Sequence, residues 1–291
     1  MPDHYREFGE SLLDFEVRDD DVWVCSFPKT GTTWTQEMVW CIANDLDYEG
    51  ARVSLDLRFP FVDVPGIFYH SKVDRIKSDL AMLTHEPLTF LEGCDSPRFI
   101  KSHLPFELLP LKLQKRQSKA KIVAVTRNPR DTCVSYFHHC KLYEGYTGDF
   151  EDFCKLFLND AVTYAPFDRN VLSYWNRKDT DPSIIFVKYE DMKKDLPSVI
   201  KRVSAFLGKE YTDSEIGVLA EHLSFESMKR NPAVVREEIL QEVGLTADDS
   251  VFREGKIGGW KKAMTAEMVK EFEAWTASRF LSTGLDWEYD P

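Results

Sequence analysis

The chain has 291 residues, and its 49 acidic and 37 basic side chains give a formal net charge of −12. This balance argues against nucleic acid or an anionic membrane as a general partner, so an anionic ligand would need a local cluster of basic side chains. The length allows a substantial buried core, and no linker rich in proline, glycine or serine interrupts it. We therefore expect one α/β domain over residues 1–291.

The cysteine pattern and the N-terminus favour a reducing, intracellular compartment. The six cysteines lie in apolar or helical contexts, without a C-x-x-C pair or a paired metal-ligand spacing, so we expect reduced, structural thiols. No long apolar span or N-x-[ST] acceptor occurs, and the N-terminal sequence MPDHYREF is charged. The expected location is the cytoplasm.

Residues 21–34, DVWVCSFPKTGTTW, predict a strand that breaks into a loop and then a helix. The first half is mostly apolar, as in a parallel strand covered on both faces, and Pro28 cannot extend such a strand. Gly31 permits a turn, and the three threonines are N-capping residue types. Backbone N–H groups, the helix dipole and the Lys29 ammonium would attract a phosphate or sulfate group. A plain turn is the alternative, because the G-x-x-x-x-G-K-[ST] spacing is incomplete.

A helix is predicted over residues 32–44. After it, the apolar residues from 50 to 97 show no clear helix or strand periodicity. Prolines and glycines there interrupt clusters of aromatic residues, among them Phe59, Phe61, Phe68, Tyr69 and Phe90. A long irregular stretch in a compact domain is typical of a lid or binding segment, and ordinary surface cover is the equal alternative.

Polar residues follow the next two predicted strands. Residues 98–101 form the second strand, which is followed by Ser102-His103-Leu104-Pro105, at the end where ligands of parallel sheets gather. A lone histidine there is more often structural than a base, but Lys101 lies two residues away on the same side. Residues 121–127 form the third strand. Arg127 lies at the end of this strand, and Ser135 lies about two turns into the following helix. Together these two residues form a candidate second anion site.

The rest of the chain completes an alternating pattern. A fourth strand is predicted over residues 183–191 with Tyr189 at its end, and a turn is predicted at LSFESMKRNP, residues 223–232. Helices are predicted over residues 150–158, 166–176, 196–207, 213–222 and 265–280. Before the last helix comes the basic, glycine-punctuated sequence VFREGKIGGWKK. His138 and His139 lack an i,i+4 metal pattern and are interpreted as pocket-wall or surface residues.

Six motifs, in this order, resemble those of the cytosolic sulfotransferases over nearly the whole chain. They are FPKTGTTW at 27–34, KSHLP at 101–105, RNPRDTCVSY at 127–136, YEDM at 189–192, SFESMKRNP at 224–232 and REGKIGGWK at 253–261. The resemblance implies a P-loop-like three-layer fold with a central parallel sheet flanked by helices. It also implies transfer of the sulfonyl group of 3′-phosphoadenosine 5′-phosphosulfate (PAPS) to a small-molecule hydroxyl or amine, without a metal.

The resemblance also implies residue roles. His103 matches the catalytic base, and Lys29 and Lys101 would offset charge on the transferring group, as expected for an acceptor hydroxyl that loses its proton as it attacks. The implied cofactor-binding residues fall into three groups. The loop residues Lys29, Thr30, Gly31, Thr32, Thr33 and Trp34 would hold the 5′-phosphosulfate and flank the adenine, Arg127, Ser135, Arg253 and Gly255 would hold the 3′-phosphate, and Tyr189 and Phe225 would line the purine.

Some positions depart from the family pattern. Leu223 stands where a threonine near the adenine is frequent, and Glu254 replaces a lysine beside Arg253. His139 replaces a frequent phenylalanine of the acceptor pocket, and the segment before KSHLP is longer than expected. These two differences leave the acceptor open, although the clustered aromatic residues favour a phenol, a steroid-like compound or another lipophilic alcohol.

Two other functions share part of this pattern. A P-loop nucleotide or small-molecule kinase would require a lysine after the last loop glycine and a Mg²⁺-binding carboxylate, and neither is evident. A non-catalytic PAPS-binding protein would not need His103 and Lys101 together. The family's dimer motif, K-x-x-x-T-V-x-x-x-E, is only partly present in the sequence that begins at Lys261, because Lys270 replaces the closing acid. A monomer or weak homodimer is therefore expected.

Overall fold

The computed structural model describes residues 5–67, 81–235 and 255–287. Its sheet contains β1 (Val22–Ser26), β2 (Phe99–Ser102), β3 (Lys121–Thr126) and β4 (Ile184–Lys188) in the order β2-β1-β3-β4. All three pairings are parallel, with Val24 opposite Lys101 on one side and Val123 on the other. The four predicted strands and the parallel sheet are confirmed.

Helices surround this sheet in the described ranges. The first are α1 (Tyr5–Leu13), α2 (Thr32–Ala43), α3 (Leu55–Arg58), α4 (Val64–Ile67), α5 (Ala81–His85), α6 (Pro87–Glu92), α7 (Leu111–Gln114), α8 (Pro129–His139) and α9 (Phe150–Leu158). They are followed by α10 (Phe167–Trp175), α11 (Tyr189–Lys194), α12 (Leu196–Leu207), α13 (Asp213–His222), α14 (Phe225–Arg230), α15 (Pro232–Val235), α16 (Trp260–Ala263) and α17 (Ala266–Phe280). Short 3-10 helices occupy Gly50–Arg52 and Phe106–Leu108, and a π-helix, Cys140–Glu144, extends α8.

The strands are buried on both faces, which explains their nearly continuous apolar sequences. Trp23 and Cys25 of β1 point into a core shared with α8, α9, α10 and α17, whereas Val22 and Val24 point into a second core shared with α2, α12 and α13. Alternate side chains of a strand face opposite sides, so one apolar run supplies both cores. The result is the expected three-layer fold, with one helical layer on each side of the sheet.

The structure corrects the end of one strand, one predicted turn and one stretch predicted to be irregular. The fourth strand ends at Lys188 rather than Asp191, and Tyr189 begins α11. The predicted turn at residues 223–232 contains α14, whose first turn is capped by the Ser224 hydroxyl accepting from the Ser227 N–H. The described part of residues 50–97 is also less irregular than predicted, because it contains the short helices α3 to α6. Phe68 and Tyr69 lie outside the described residues.

The six thiols are free, and five of them are buried, with Cys94 half-buried. None of the described helices is long and apolar enough to cross a membrane.

Candidate active site

The carboxyl ends of the four strands meet at one edge of the sheet, because all strands run in the same direction. The chain passes from β1 to β2 on one side and then returns to β3 on the other side of β1. This reversal leaves a crevice beyond the end of β1, the usual ligand position in open α/β sheets. Lys29, His103, Arg127 and Tyr189 follow the four strands at this edge.

The loop after β1 exposes backbone donors. Lys29 and Gly31 both have positive φ angles, 69° and 103°, and Gly31, rather than one of the threonines, is the N-cap of α2. A glycine has no side chain to cap the helix, so no N-cap side chain engages the first N–H groups of α2, which lie at the positive end of the helix dipole. The geometry is that of an anion-binding loop.

Two threonine hydroxyls hold the loop together from inside. The Thr30 hydroxyl donates to the Phe27 carbonyl at 2.7 Å, and the residue is fully buried. The Thr32 hydroxyl lies 2.7 Å from that of Ser26. These two side chains therefore shape the loop, while the half-buried Thr33 lies in the first turn of α2. A ligand would meet Thr30 and Thr32 through their backbone N–H groups.

Aromatic rings close one side of the loop. A Cβ atom added to Gly31 would lie 2.7 Å from the ring of Tyr189, so that ring can approach only a glycine. Trp34 packs edge-on against Tyr189 at 5.5 Å between ring centroids, and its indole N–H donates to the Leu223 carbonyl at 2.8 Å. The backbone of Leu223 thus fixes the orientation of Trp34 regardless of the side chain at position 223.

His103 follows β2 and is held in one tautomer. Its Nδ1 lies 2.8 Å from the Ser26 carbonyl oxygen, which can only accept a hydrogen bond, so Nδ1 carries the proton and Nε2 keeps its lone pair. Burial, and next the charge of Lys101, hold the pKa of His103 well below its usual range. The ring is therefore neutral at pH 7 and able to accept a proton at Nε2.

Aromatic side chains flank this imidazole. Phe61 and Tyr164 both pack edge-on against it, with ring centroids 4.9 and 5.4 Å away. The Lys101 ammonium lies 4.0 Å from the centroid of Phe61, so lysine and histidine share one aromatic neighbour. Half-buried His139 is close enough for its charge to lower the pKa of His103 further, a smaller effect than those of burial and Lys101.

Arg127 lies between β3 and the C-terminal part of the chain. Its guanidinium is 4.5 Å from the centroid of Tyr189 and donates to the Lys256 carbonyl at 2.8 Å. Asp131, in the first turn of α8, accepts from the N–H groups of Gly258 and Trp260 at 2.8 and 3.1 Å. The start of α8 therefore anchors residues 256–260 beside Arg127.

Ser135 is half-buried in the middle of α8, and Phe225 begins α14. Gly255 has φ 61°, and a Cβ atom added there would lie 2.2 Å from the Phe225 ring. The two implied purine-side rings, Tyr189 and Phe225, are thus each packed against a glycine. Arg253 and Glu254 lie outside the described residues.

The profile of the family described as "Sulfotransferase domain" matches residues 19–284. The chain belongs to this family. It is a sulfotransferase, as the order of its six motifs implied, and the matches give no support to the kinase or the non-catalytic alternative.

Curated relatives and solved structures agree with this assignment. Luciferin sulfotransferase of Photinus pyralis is 39% identical over 278 residues, covering 94% of this chain and 75% of the relative. Amine sulfotransferase of Oryctolagus cuniculus is 35% identical over 269 residues, covering 91% of this chain and 82% of the relative. The structure of retinol dehydratase with androsterone and inactive cofactor PAP superposes with a TM-score of 0.89 at 33% identity, covering 99% of this chain and 88% of that one.

The sulfotransferase site contains residues that the sequence did not reveal. Ser26 supplies the carbonyl that orients His103, and the Asn170 side chain donates to the His103 carbonyl at 2.7 Å. Asp63 accepts from the His103 N–H at 2.6 Å, and Asp131 anchors the C-terminal segment. These contacts join segments distant in sequence and had no local signal.

One further group of possible metal ligands occurs among the described residues. Ligand atoms of Glu37, Cys41 and His222 lie within 4.8 Å of one another. Glu37 is already engaged, however, by the Arg58 guanidinium at 2.8 Å and by His222 Nε2 at 2.7 Å. We interpret the group as a buried ion-pair network between α2, α3 and α13.

Proposed function

We propose that this sulfotransferase transfers the sulfonyl group of PAPS to a hydroxyl or amine of a small hydrophobic acceptor, with His103 as general base. The observation that carries the proposal is the Ser26 carbonyl at Nδ1 of His103, which leaves Nε2 as the basic atom beside the loop after β1. The PAP bound to retinol dehydratase in its solved structures supports PAPS as the donor.

PAPS supplies an activated sulfonyl group, whose bond to the 5′-phosphate oxygen breaks during transfer. His103 Nε2 accepts the proton that the acceptor hydroxyl loses as its oxygen forms the new bond to sulfur. The ammonium groups of Lys29 and Lys101 stabilise negative charge on the sulfonyl and bridging oxygens. Sulfonyl transfer moves less charge than phosphoryl transfer, and we propose that no metal takes part.

The cofactor would lie along the crevice. We assign the 5′-phosphosulfate to the loop residues Lys29, Thr30, Gly31, Thr32 and Thr33, with Trp34 flanking the adenine. We assign the purine to Tyr189 and Phe225, and the 3′-phosphate to Arg127, Ser135, Gly255 and Arg253. The close packing of Tyr189 on Gly31 and of Phe225 on Gly255 supports the purine assignment, because it fixes both rings.

The acceptor should be lipophilic. Phe61 and Tyr164 flank His103, and the described part of residues 57–97 packs beside β2. Androsterone and retinol, bound by retinol dehydratase, are compounds of this class. We expect a screen with labelled PAPS to show higher kcat/KM for phenols, steroids and lipophilic alcohols than for sugars. A clear preference for a sugar or another strongly polar acceptor would contradict an apolar pocket.

The enzyme should be a monomer or a weak homodimer. In the partial dimer motif, Thr265 uses its hydroxyl to accept from the Met268 N–H and so caps α17, while Lys270 stands in place of the closing acid. Sedimentation velocity at micromolar protein should show mainly monomer. A tight dimer that dissociates on substitution of Lys261 or Lys270 would refute this expectation.

We also propose that residues 1–291 form one domain and that the enzyme acts in the cytoplasm. The family match over residues 19–284 supports the first proposal. The six free thiols support the second, because a reducing compartment maintains them.

A further inference from the structure

The segment Pro60–Asp63 lies alongside the end of β2 like a short extra strand. The Lys101 N–H donates to the Pro60 carbonyl at 3.0 Å, and the Val62 N–H donates to the Lys101 carbonyl at 3.1 Å. Phe61 forms a parallel bridge with Lys101. This pairing brings Asp63, from the segment before β2, directly to the residues that follow Lys101.

The Asp63 carboxylate holds the turn that carries His103. The side chain is fully buried, and its two oxygens accept from the Ser102 hydroxyl at 2.8 Å and from the His103 N–H at 2.6 Å. The Ser102 hydroxyl in turn accepts from the Leu104 N–H at 3.1 Å. One carboxylate therefore fixes three successive residues, with the histidine in the middle.

Contacts on other sides leave the imidazole little freedom. The Asn170 side chain donates to the His103 carbonyl at 2.7 Å, the Ser26 carbonyl accepts from Nδ1, and the ring of Phe61 packs against the imidazole. The Asp63 carboxylate adds a contact with the backbone N–H of His103. Rotation of the peptide between Ser102 and His103 would swing the imidazole away from the crevice, and the Asp63 carboxylate opposes that rotation.

An ionised carboxylate at this position lowers folding stability. Burial raises the pKa of Asp63 to about 7, although the hydrogen bonds from His103 and Ser102 and the charge of Lys101 act in the opposite direction. Asp63 also faces Tyr164, whose own pKa is raised by burial and by this carboxylate. Because the folded protein binds the proton more tightly than the unfolded chain, stability falls as pH rises from 3.8 to about 7. Stability alone would favour a neutral side chain.

We propose that Asp63 is a positioning residue that holds His103 in the orientation required for sulfonyl transfer, an inference that rests on the proposed role of His103. Asp63 does not contact the reacting atoms. Its effect on the reaction passes through the peptide N–H of His103, so its loss should act on turnover and leave the binding of PAP and acceptor intact.

Two variants at pH 8 test this inference. Asp63→Ala removes both hydrogen bonds, and we expect kcat to fall by about 10-fold to 100-fold, with the acceptor KM and the Kd for PAP within about threefold of wild type. Asp63→Asn keeps one acceptor oxygen for the His103 N–H and should restore most of kcat. Its melting temperature at pH 8 should equal or exceed that of wild type, because a buried charge has been removed. An unchanged kcat in Asp63→Ala would overturn the inference.

A double-mutant cycle with His103→Ala shows whether Asp63 affects turnover through His103. If Asp63 acts through His103, then Asp63→Ala should not lower the residual rate of the His103→Ala variant further. An additional loss of similar size in that background would overturn the positioning role. The proposal that His103 is the base would be refuted by a different result, namely a normal rate in the single variant His103→Ala. Failure of the base proposal and failure of the Asp63 proposal are therefore distinguishable.

Discussion

Replacing His103 with alanine is expected to lower turnover by about 10²-fold or more, the usual scale for loss of a general base. The Kd for PAP should change little, because His103 faces the acceptor rather than the nucleotide in the proposed arrangement. Single-turnover sulfonation with labelled PAPS measures the chemical step, and calorimetric titration with PAP measures binding.

The matched control is His222→Ala. Like His103, His222 engages a buried acceptor, since its Nε2 lies 2.7 Å from Glu37, but it lies in α13 on the side of the second core. We expect this variant to keep the single-turnover rate at saturating PAPS. A His103→Ala variant that also kept its rate would require another base, with the histidine reduced to a structural role.

The pH dependence offers a second check on the base. Burial and the charge of Lys101 lower the pKa of His103 below 6.5, so protonation should inactivate the base only in more acidic solution. In the Asp63→Asn background, where the aspartate no longer titrates, kcat should fall as pH decreases through a value below 6.5. A midpoint clearly above 7 would show that another group limits the rate.

The strands were predictable because each is buried on both faces and therefore apolar along its length. Val22–Ser26 and Lys121–Thr126 show this pattern, and Gly31 marks the first turn. The end of the fourth strand was not predictable in the same way. The sequence KYED offers no break, and the helical conformation of Tyr189 depends on tertiary contacts such as those with Gly31 and Arg127.

The sequence also could not predict the direction in which a polar side chain points. Thr30, Thr32 and Thr33 are equivalent as residue types, yet Thr30 and Thr32 use their hydroxyls to bind the protein itself. Asp63 and Asn170 contact His103 across separations of 40 and 67 residues. Such contacts depend on the packing of whole helices and strands, so the hydrophobic periodicity of the sequence does not predict them.

Replacing Arg127 with alanine is expected to have the opposite profile to His103→Ala. Its guanidinium stacks on Tyr189 and donates to the Lys256 carbonyl, with 13% of the side chain exposed. A charged partner of the 3′-phosphate contributes about 1.5–3 kcal/mol. Its loss should therefore raise the Kd for PAP by about 10-fold to 150-fold, while the single-turnover rate at saturating PAPS changes by less than about threefold.

Arg177→Ala is the control that separates charge recognition from packing. Arg177 also stacks on an aromatic ring, that of Phe106 at 4.3 Å, and donates to a backbone carbonyl, that of Ser173 at 2.6 Å, but it follows α10. We expect it to leave the Kd for PAP unchanged. Adenosine 5′-phosphate, which lacks the 3′-phosphate, should bind wild type and Arg127→Ala with nearly equal affinity. If Arg127→Ala weakened that compound as much as PAP, the arginine would support the purine through Tyr189 rather than bind the 3′-phosphate.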